Sequence, residues 1–429
     1  MNGTELPEIK TALPGPQSRY WVDHLARTEC PAITARRDRR AKALGTENDD
    51  PIVWDTAVGA NVTDMDGNRY VDLTSGFGVA LMGHRHPAVV HAVRDQTEKL
   101  LHAMGDAWPD AARIRFLDAF SQYTPDGLDI SILGLSGSDA IDATIKTAIL
   151  KTKKSGVLTF DGGYHGLSLG VLGLQGYKSA FTTPFQNITH PEVYRLPFGA
   201  SPADITKMLS THAIGLVLVE PIQGRGGMRP CEDGWLAEVA ALARSHGALF
   251  ALDEIQSGMG RTGVPFAGVR HGVTPDVLCV GKAIAGGFPL SACVGTEEAM
   301  SGWGQSTGEA IHTQTFLGHP IGCAAGSAVL RAQTPEFFAS LNDTATYLRT
   351  QLEQLGFEVR GEGLMLGVHT TKNRLEVARE LMRHGYLILP AGMEGEVLGL
   401  TPPACLTPQQ IDGFVTTLHS ISPPLRGSW

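Results

Sequence analysis

The chain has 429 residues, 42% of them hydrophobic and 18% charged, with 35 basic against 44 acidic side chains and a formal net charge of −9. That length exceeds one ordinary core and predicts a large domain with a smaller one. The acidic balance argues against nucleic acid or an anionic membrane as a partner, and no apolar run approaches the roughly 20 residues of a membrane helix.

Residues 1–20 are rich in Pro and Gly and read as an extended arm, followed by a helical pattern over 21–44. That pattern carries Arg36, Arg37, Arg39 and Arg40, a solvated or interface face. Asp66-Gly67, flanked by alternating residues, signals a hairpin. His84, Arg85 and His86 lack a third ligand at useful spacing and read as loop or packing residues, not a metal site. A helix is expected over 87–103. The cysteines Cys30, Cys231, Cys279, Cys293, Cys323 and Cys405 show no CxxC spacing. Several sit in apolar runs, as core thiols do in a reducing compartment. The polar start MNGTELPEIK lacks a signal-peptide apolar region, so the expected location is the cytoplasm.

Ile130–Leu135 reads as a strand leading through SGSDA into a helix from about Asp139 to Lys151. The backbone amides of Gly137, Ser138 and Asp139, with the Ser138 hydroxyl, can cradle a phosphate there. The same pattern is also an ordinary helix N-terminus. Gly156–Phe160 is a strand followed by DGGYHG, where Tyr164 and His165 can stack on a flat ring or simply fill a core. Gly215–Val219 is a strand ending at Glu220. Next come a loop with Arg225 and Arg229, then a helix capped by Asp233 and closed by Gly247.

The richest stretch runs from Leu249 to Gly287. Its two apolar runs, Ala248–Leu252 and Val277–Val280, read as buried parallel strands. One ends at Asp253 and the other at Lys282, 29 residues later, and no other lysine lies between Lys207 and Lys372. Open α/β sheets bind ligands beyond the carboxyl ends of their strands. A lysine and a carboxylate delivered together to that edge suit pyridoxal phosphate, which needs an amine for a Schiff base and an acidic partner for its ring nitrogen. Once displaced by substrate, the Lys282 amine can carry a proton between Cα and the cofactor carbon. A surface lysine and a turn-capping aspartate are the plainer alternative. After Gly295, Thr313 and Thr315 lie in a loop before a small-residue helix. A strand pair around GFEVRGEGLMLGVHT and a closing helix after Pro408 then suggest a separate α+β domain.

These motifs, in order DGNRYVDLTSG, GHRHP, SGSDA, YHG, EPIQG, LDEIQSGMGRTG, GKAIAGGFPL, TFLGHP and RGEGLMLG, resemble those of class III aminotransferases. That subgroup of fold-type I pyridoxal-phosphate enzymes includes the ornithine, acetylornithine and 4-aminobutyrate aminotransferases. The resemblance implies an α/β fold: a large domain with a mainly parallel seven-stranded sheet between helices, plus a small α+β domain from both termini. The expected divisions are 1–75 (N-terminal arm and part of the small domain), 76–325 (large cofactor domain) and 326–429 (C-terminal small domain). By resemblance, Lys282 holds the cofactor and Asp253 pairs with its ring nitrogen. Gly137 and Ser138 hold the phosphate, and Tyr164 stacks on the ring with His165 beside it. Glu220 supports the acidic network, while Ile255 and Gln256 line the other face and the 3-hydroxyl. Thr315 reaches the phosphate in a neighbouring subunit, which implies an obligate homodimer with shared active sites.

Two departures concern substrate. Family members acting on ω-amines place an arginine just after YHG, where this chain has Leu167. They also carry a Glu in EPIQGE that pairs with an Arg before a late Pro-Pro pair; here the positions are Arg225 and, near the second, Gly399. Arg225 is then either a relocated anion anchor or a residue that pairs with a nearby carboxylate or faces solvent. Phe77 falls where the family places a pocket wall. The leading activity is ping-pong amino transfer between a small-molecule donor and a keto or aldehyde acceptor. A racemase or epimerase on the same scaffold is the alternative, decarboxylation a more distant one, and a cofactor-binding regulatory protein a third. A nicotinamide dehydrogenase fails for want of G-x-G-x-x-G after the first strand.

Overall fold

The computed structural model describes residues 2–30, 33, 52–305 and 308–424. Its central sheet has seven strands in the spatial order Ile130–Gly134, Ser291–Gly295, Val277–Val280, Leu249–Asp253, Ile214–Val219, Gly156–Phe160 and Val193–Leu196. Ser291–Gly295 runs antiparallel to both neighbours, and the other pairings are parallel. The inner strands are apolar on both faces because both are covered. Leu216, Leu218, Ala251, Val277 and Cys279 pack under Ala140, Ile141 and Ile145 of the helix Gly137–Thr152. The alternate residues Val217, Val219, Phe250, Leu252 and Leu278 face the core that includes Leu236, Val239 and Ala243 of the helix Trp235–Ser245.

Both chain ends build the smaller sheets. Trp54–Val58, Asn61–Asp64 and Arg69–Asp72 form an antiparallel meander, with the expected hairpin at Asp66-Gly67. Its last strand pairs in parallel with Tyr386–Leu387. A second sheet joins Val359–Glu362, Met365–His369, Val397–Leu400 and Leu389–Ala391.

Several local expectations change. The first helix starts earlier, at Pro16, and ends at Thr28. Proline suits a first helical position, and the Asp66 carboxylate accepts from the amides of Gln17 and Ser18 at 2.7 and 2.9 Å. The arginines at 36, 37, 39 and 40 lie outside the described residues. The helix expected over 87–103 spans Pro87–Thr97. Asp233 does not cap its helix: Gly234 is the N-cap, with φ of 81° and no side-chain bond. His84 takes a packing role, 2.8 Å from the buried Asp72.

One buried cation joins these parts. Arg261 is fully buried. Its guanidinium donates to the carbonyls of Leu364, Pro402 and Gly78 at 3.3, 2.5 and 3.2 Å. Burial pulls its pKa down to about 9, against the charge of Asp72. Arg261 thus ties the turn Ser75–Gly78 to two C-terminal segments. Replacing it with methionine keeps the volume but strands those carbonyls. Arg261→Met should lower unfolding free energy by about 3 kcal/mol. Denaturant titration checks this, and an unchanged midpoint would contradict the strut.

Candidate active site

The parallel strands bring their carboxyl ends to one edge. In register, Asp253 lies opposite Cys279, and Leu252 opposite Val219. Asp253 therefore sits between the strand that leads into Lys282 and the strand that leads into Glu220, with neighbouring strands about 4.8 Å apart. The loop after Phe160 carries Tyr164 and His165 over the same edge.

Asp253 and His165 are both buried. Asp253 Oδ2 lies 2.7 Å from His165 Nδ1, and Oδ1 accepts from the Ile255 amide at 3.1 Å. Burial disfavours a charged imidazole, but the hydrogen bond and charge of Asp253, with Glu220, outweigh it and raise the His165 pKa. Glu220 is pushed up to about 7, by burial first and by Asp253, against the charge of His165. Its carboxylate accepts from the amides of Tyr164 and Gly224 at 2.8 and 3.2 Å.

Lys282 Nζ donates to Gln256 Oε1 at 2.8 Å. Burial pulls its pKa down to about 8, opposed by Asp253 and Glu220 and reinforced by Arg225 and Arg261. An amine with that pKa is substantially neutral near pH 8 and so nucleophilic. The lysine stem abuts an unusual turn. Ser75, Gly76, Phe77 and Gly78 all have positive φ, of 48°, 57°, 65° and 85°. A Cβ on Gly78 would sit 3.8 Å from Lys282 Cδ. Left-handed backbone costs roughly 1–2 kcal/mol per non-glycine residue, so the turn persists because Arg261, Asp72 and Thr401 hold it. It presents Phe77 with 57% of its surface exposed.

The helix Gly137–Thr152 begins at the same edge. Its Ser136–Asp139 capping box uses the Asp139 amide, bonded to Ser136 Oγ at 3.3 Å. That corrects the expected cradle: Asp139 is engaged, and the amides of Gly137 and Ser138 and the Ser138 hydroxyl remain. Ile255 packs over Gly137 so closely that a Cβ there would come within 2.8 Å of Ile255 Cδ1.

Tyr164 stands nearly perpendicular to Tyr177, with centroids 6.2 Å apart. The Arg225 guanidinium lies in that corner, 5.1 Å from one centroid and 5.2 Å from the other. Leu167 is exposed nearby in sequence, and Thr315 is exposed in the loop before the helix Pro320–Ala332. Gly399 lies under Met228, where a Cβ would be 3.0 Å from the Met228 methyl. Tyr177 and Arg261 were not singled out from sequence. Arg261 carried a signal, a cation inside the glycine-rich GMGRTG; Tyr177 carried none. No group of three His, Cys, Asp or Glu residues that could hold a metal occurs among the described residues.

A strand-edge lysine, a buried aspartate–histidine pair and a helix N-terminus define the arrangement of a cofactor-dependent transferase. Residues 44–421 match the family model for class-III aminotransferases. An acetylornithine aminotransferase of Methanopyrus kandleri is 34% identical over 384 residues, covering 88% of this chain and 95% of that protein. A [LysW]-aminoadipate semialdehyde transaminase of Deinococcus radiodurans is 34% identical over 389 residues, covering 88% and 89%. The crystal structure of an adenosylmethionine-8-amino-7-oxononanoate aminotransferase from Methanocaldococcus jannaschii superposes with a TM-score of 0.79 at 24% identity, covering 86% and 92%, and shares the fold. The chain belongs to the class-III aminotransferases. It is a pyridoxal-phosphate-dependent enzyme that moves amino groups between small-molecule donors and acceptors. These relatives favour amino transfer over the racemase alternative. No helix among the described residues is long and apolar enough to cross a membrane.

The residues fit that cofactor. Two helix-start amides with no acceptor among the described residues suit a phosphate, and the absence of a side chain at Gly137 lets Ile255 pack directly against that helix start. Asp253 and Lys282 offer the carboxylate and the amine. If Lys282 is the amine that takes up the cofactor, uptake by stripped enzyme should accelerate with pH around a midpoint near 8, where the amine loses its proton. Rapid-mixing absorbance across pH 6–11 reads this. A midpoint near the unperturbed lysine value of about 10.4 would refute the desolvated amine.

Proposed function

We propose that this enzyme is a ping-pong aminotransferase whose cofactor is held as a Schiff base by Lys282 and through its ring nitrogen by Asp253. The carrying observation is the desolvated Lys282 amine beside the buried Asp253–His165 pair at adjacent strand ends. Bound pyridoxal phosphate supplies an aldehyde that condenses with amines and a ring that withdraws electrons from the attached carbon. The chain does the rest. Gly137 and Ser138 hold the phosphate. Tyr164 and Ile255 would contact the ring, and His165, through its 2.7 Å contact, would keep Asp253 oriented for the ring proton. Glu220 fixes the Tyr164 loop through the Tyr164 amide, and Gln256 steers the lysine amine and the 3-hydroxyl. Freed Lys282 carries a proton to and from the reacting carbons.

Phe77 and Leu167 are exposed apolar side chains, and as pocket walls they would favour a donor with an apolar stretch. The relatives are named for acetylornithine and for an aminoadipate semialdehyde, and trial donors and acceptors start there. Thr315, exposed on its loop, completes the phosphate site of a second subunit, which makes the enzyme an obligate homodimer. The large domain comprises 76–325, and 1–75 with 326–429 supply the small one. The compartment is the cytoplasm, a reading supported by six free cysteines.

Single additions of α-, β- and ω-amino acids, diamines and amino sugars to the holoenzyme should convert the visible band of the aldehyde cofactor to that of its amine form for at least one donor. Lys282→Ala should lower turnover by about 10⁴. A band that persists while the substrate Cα exchanges with deuterated solvent would favour racemisation. Light scattering should give twice the 45.7 kDa chain mass, and Thr315→Ala should weaken cofactor binding about tenfold. A monomer with full activity would remove the shared-site proposal.

A further inference from the structure

Arg225 is the residue whose surroundings leave most unexplained. It lies in the tight loop Gly224–Met228 between the paired strands Ile222–Gln223 and Arg229–Pro230. That loop is fixed on all sides. The amides of Gly227 and Met228 bond to the Gly224 carbonyl at 3.1 and 3.2 Å. The Arg225 carbonyl accepts from the Gly392 amide at 2.9 Å, and Arg360 Nε donates to the Gly227 carbonyl at 2.6 Å. The side chain is fixed as well, because the guanidinium rests against the Tyr164 and Tyr177 rings. The Tyr177 hydroxyl in turn donates to the Gly392 carbonyl at 3.1 Å.

A guanidinium placed so carefully ordinarily has a counter-charge. Among the described residues, no carboxylate pairs with Arg225, and its buried Nε has no hydrogen-bond partner. The two acids near this loop are otherwise engaged: Glu396 lies 3.9 Å from Arg360 and accepts from the Glu394 amide at 3.0 Å, and Glu220 accepts from the amides of Tyr164 and Gly224. A second cation, Lys178, lies 5.3 Å from the Tyr177 centroid. Arg225 is also close enough to the lysine to help lower its pKa. Ring faces stabilise a cation by roughly 0.5–2 kcal/mol, yet they leave the guanidinium's in-plane N–H donors unused. Planar donors of that kind match a carboxylate.

We propose that Arg225, seated in the corner of Tyr164 and Tyr177, binds a carboxylate of the amino donor or acceptor and so selects carboxylate-bearing substrates. This rests on the cofactor placement proposed above. It assigns the anion site to the hairpin loop and its tyrosine corner, with Tyr177 as a positioning residue.

The test compares wild-type, Arg225→Ala, Arg225→Lys and Tyr177→Leu holoenzymes. Half-reaction rates are measured with ω-amino carboxylates of increasing length, each paired with the alkylamine lacking the carboxylate. Glutarate binding is measured separately by calorimetry, and bound cofactor by absorbance. The wild type should prefer the carboxylate partner. Arg225→Ala should reduce that preference at least about thirtyfold and abolish glutarate binding. Arg225→Lys should recover part of the preference, and Tyr177→Leu should weaken it with Arg225 still present. An unchanged preference in Arg225→Ala, or no preference in the wild type, overturns the proposal. So does loss of cofactor affinity, which would assign Arg225 to the phosphate. A wild-type enzyme that converts no amine at all would instead overturn the cofactor placement.

Discussion

The 2.7 Å contact between Asp253 and His165 is the point round which the cleft is arranged. Two polar groups buried at a strand end are tolerated only when they satisfy each other. Their position is set by sheet register, because the Asp253 strand lies between the strands leading to Lys282 and Glu220. The same low-polarity surroundings draw the lysine pKa down and the Glu220 pKa up. One burial therefore acts on both groups: it favours the neutral amine and the protonated carboxyl.

Much of this was legible in the sequence because the signals were local. Val277–Val280 and Gly156–Phe160 are short apolar runs ending at chemistry-bearing residues, and both strands have the expected bounds. The lysine and aspartate stood out because strand ends in parallel sheets converge. What escaped depended on distant contacts. Helix Pro16–Thr28 starts where it does because Asp66, far along the chain, accepts from its first amides. Asp233 looked like a cap, yet the left-handed Gly234 enters the helix instead. Tyr177 gained its place only when its ring met Tyr164 and its hydroxyl met Gly392. The Arg225 alternatives could not be separated by spacing alone, since whether a carboxylate pairs with it is a property of the folded loop.

The turn Ser75–Gly78 shows how the periphery governs the cleft. A run of left-handed residues is poorly stable by itself, and Phe77 within it is strained. The restraints come from the fully buried Arg261 and from Thr401, near the far end of the chain. Strain of this kind commonly marks a place where side-chain direction matters more than local stability. Here it holds an aromatic ring exposed, one residue from the glycine that faces the lysine stem.

Those restraints also bear on how the enzyme is made. Ser75 Oγ bonds to the Thr401 carbonyl across 326 positions of sequence, and the Arg69–Asp72 strand gains its parallel neighbour only from Tyr386–Leu387. At about 5–20 residues per second, a ribosome needs roughly 15–65 s to cover that interval. Throughout that time the early meander has a bare strand edge and the Phe77 turn has no lock. An uncovered edge is a template for unwanted pairing. The last hundred residues thus complete a structure begun by the first hundred.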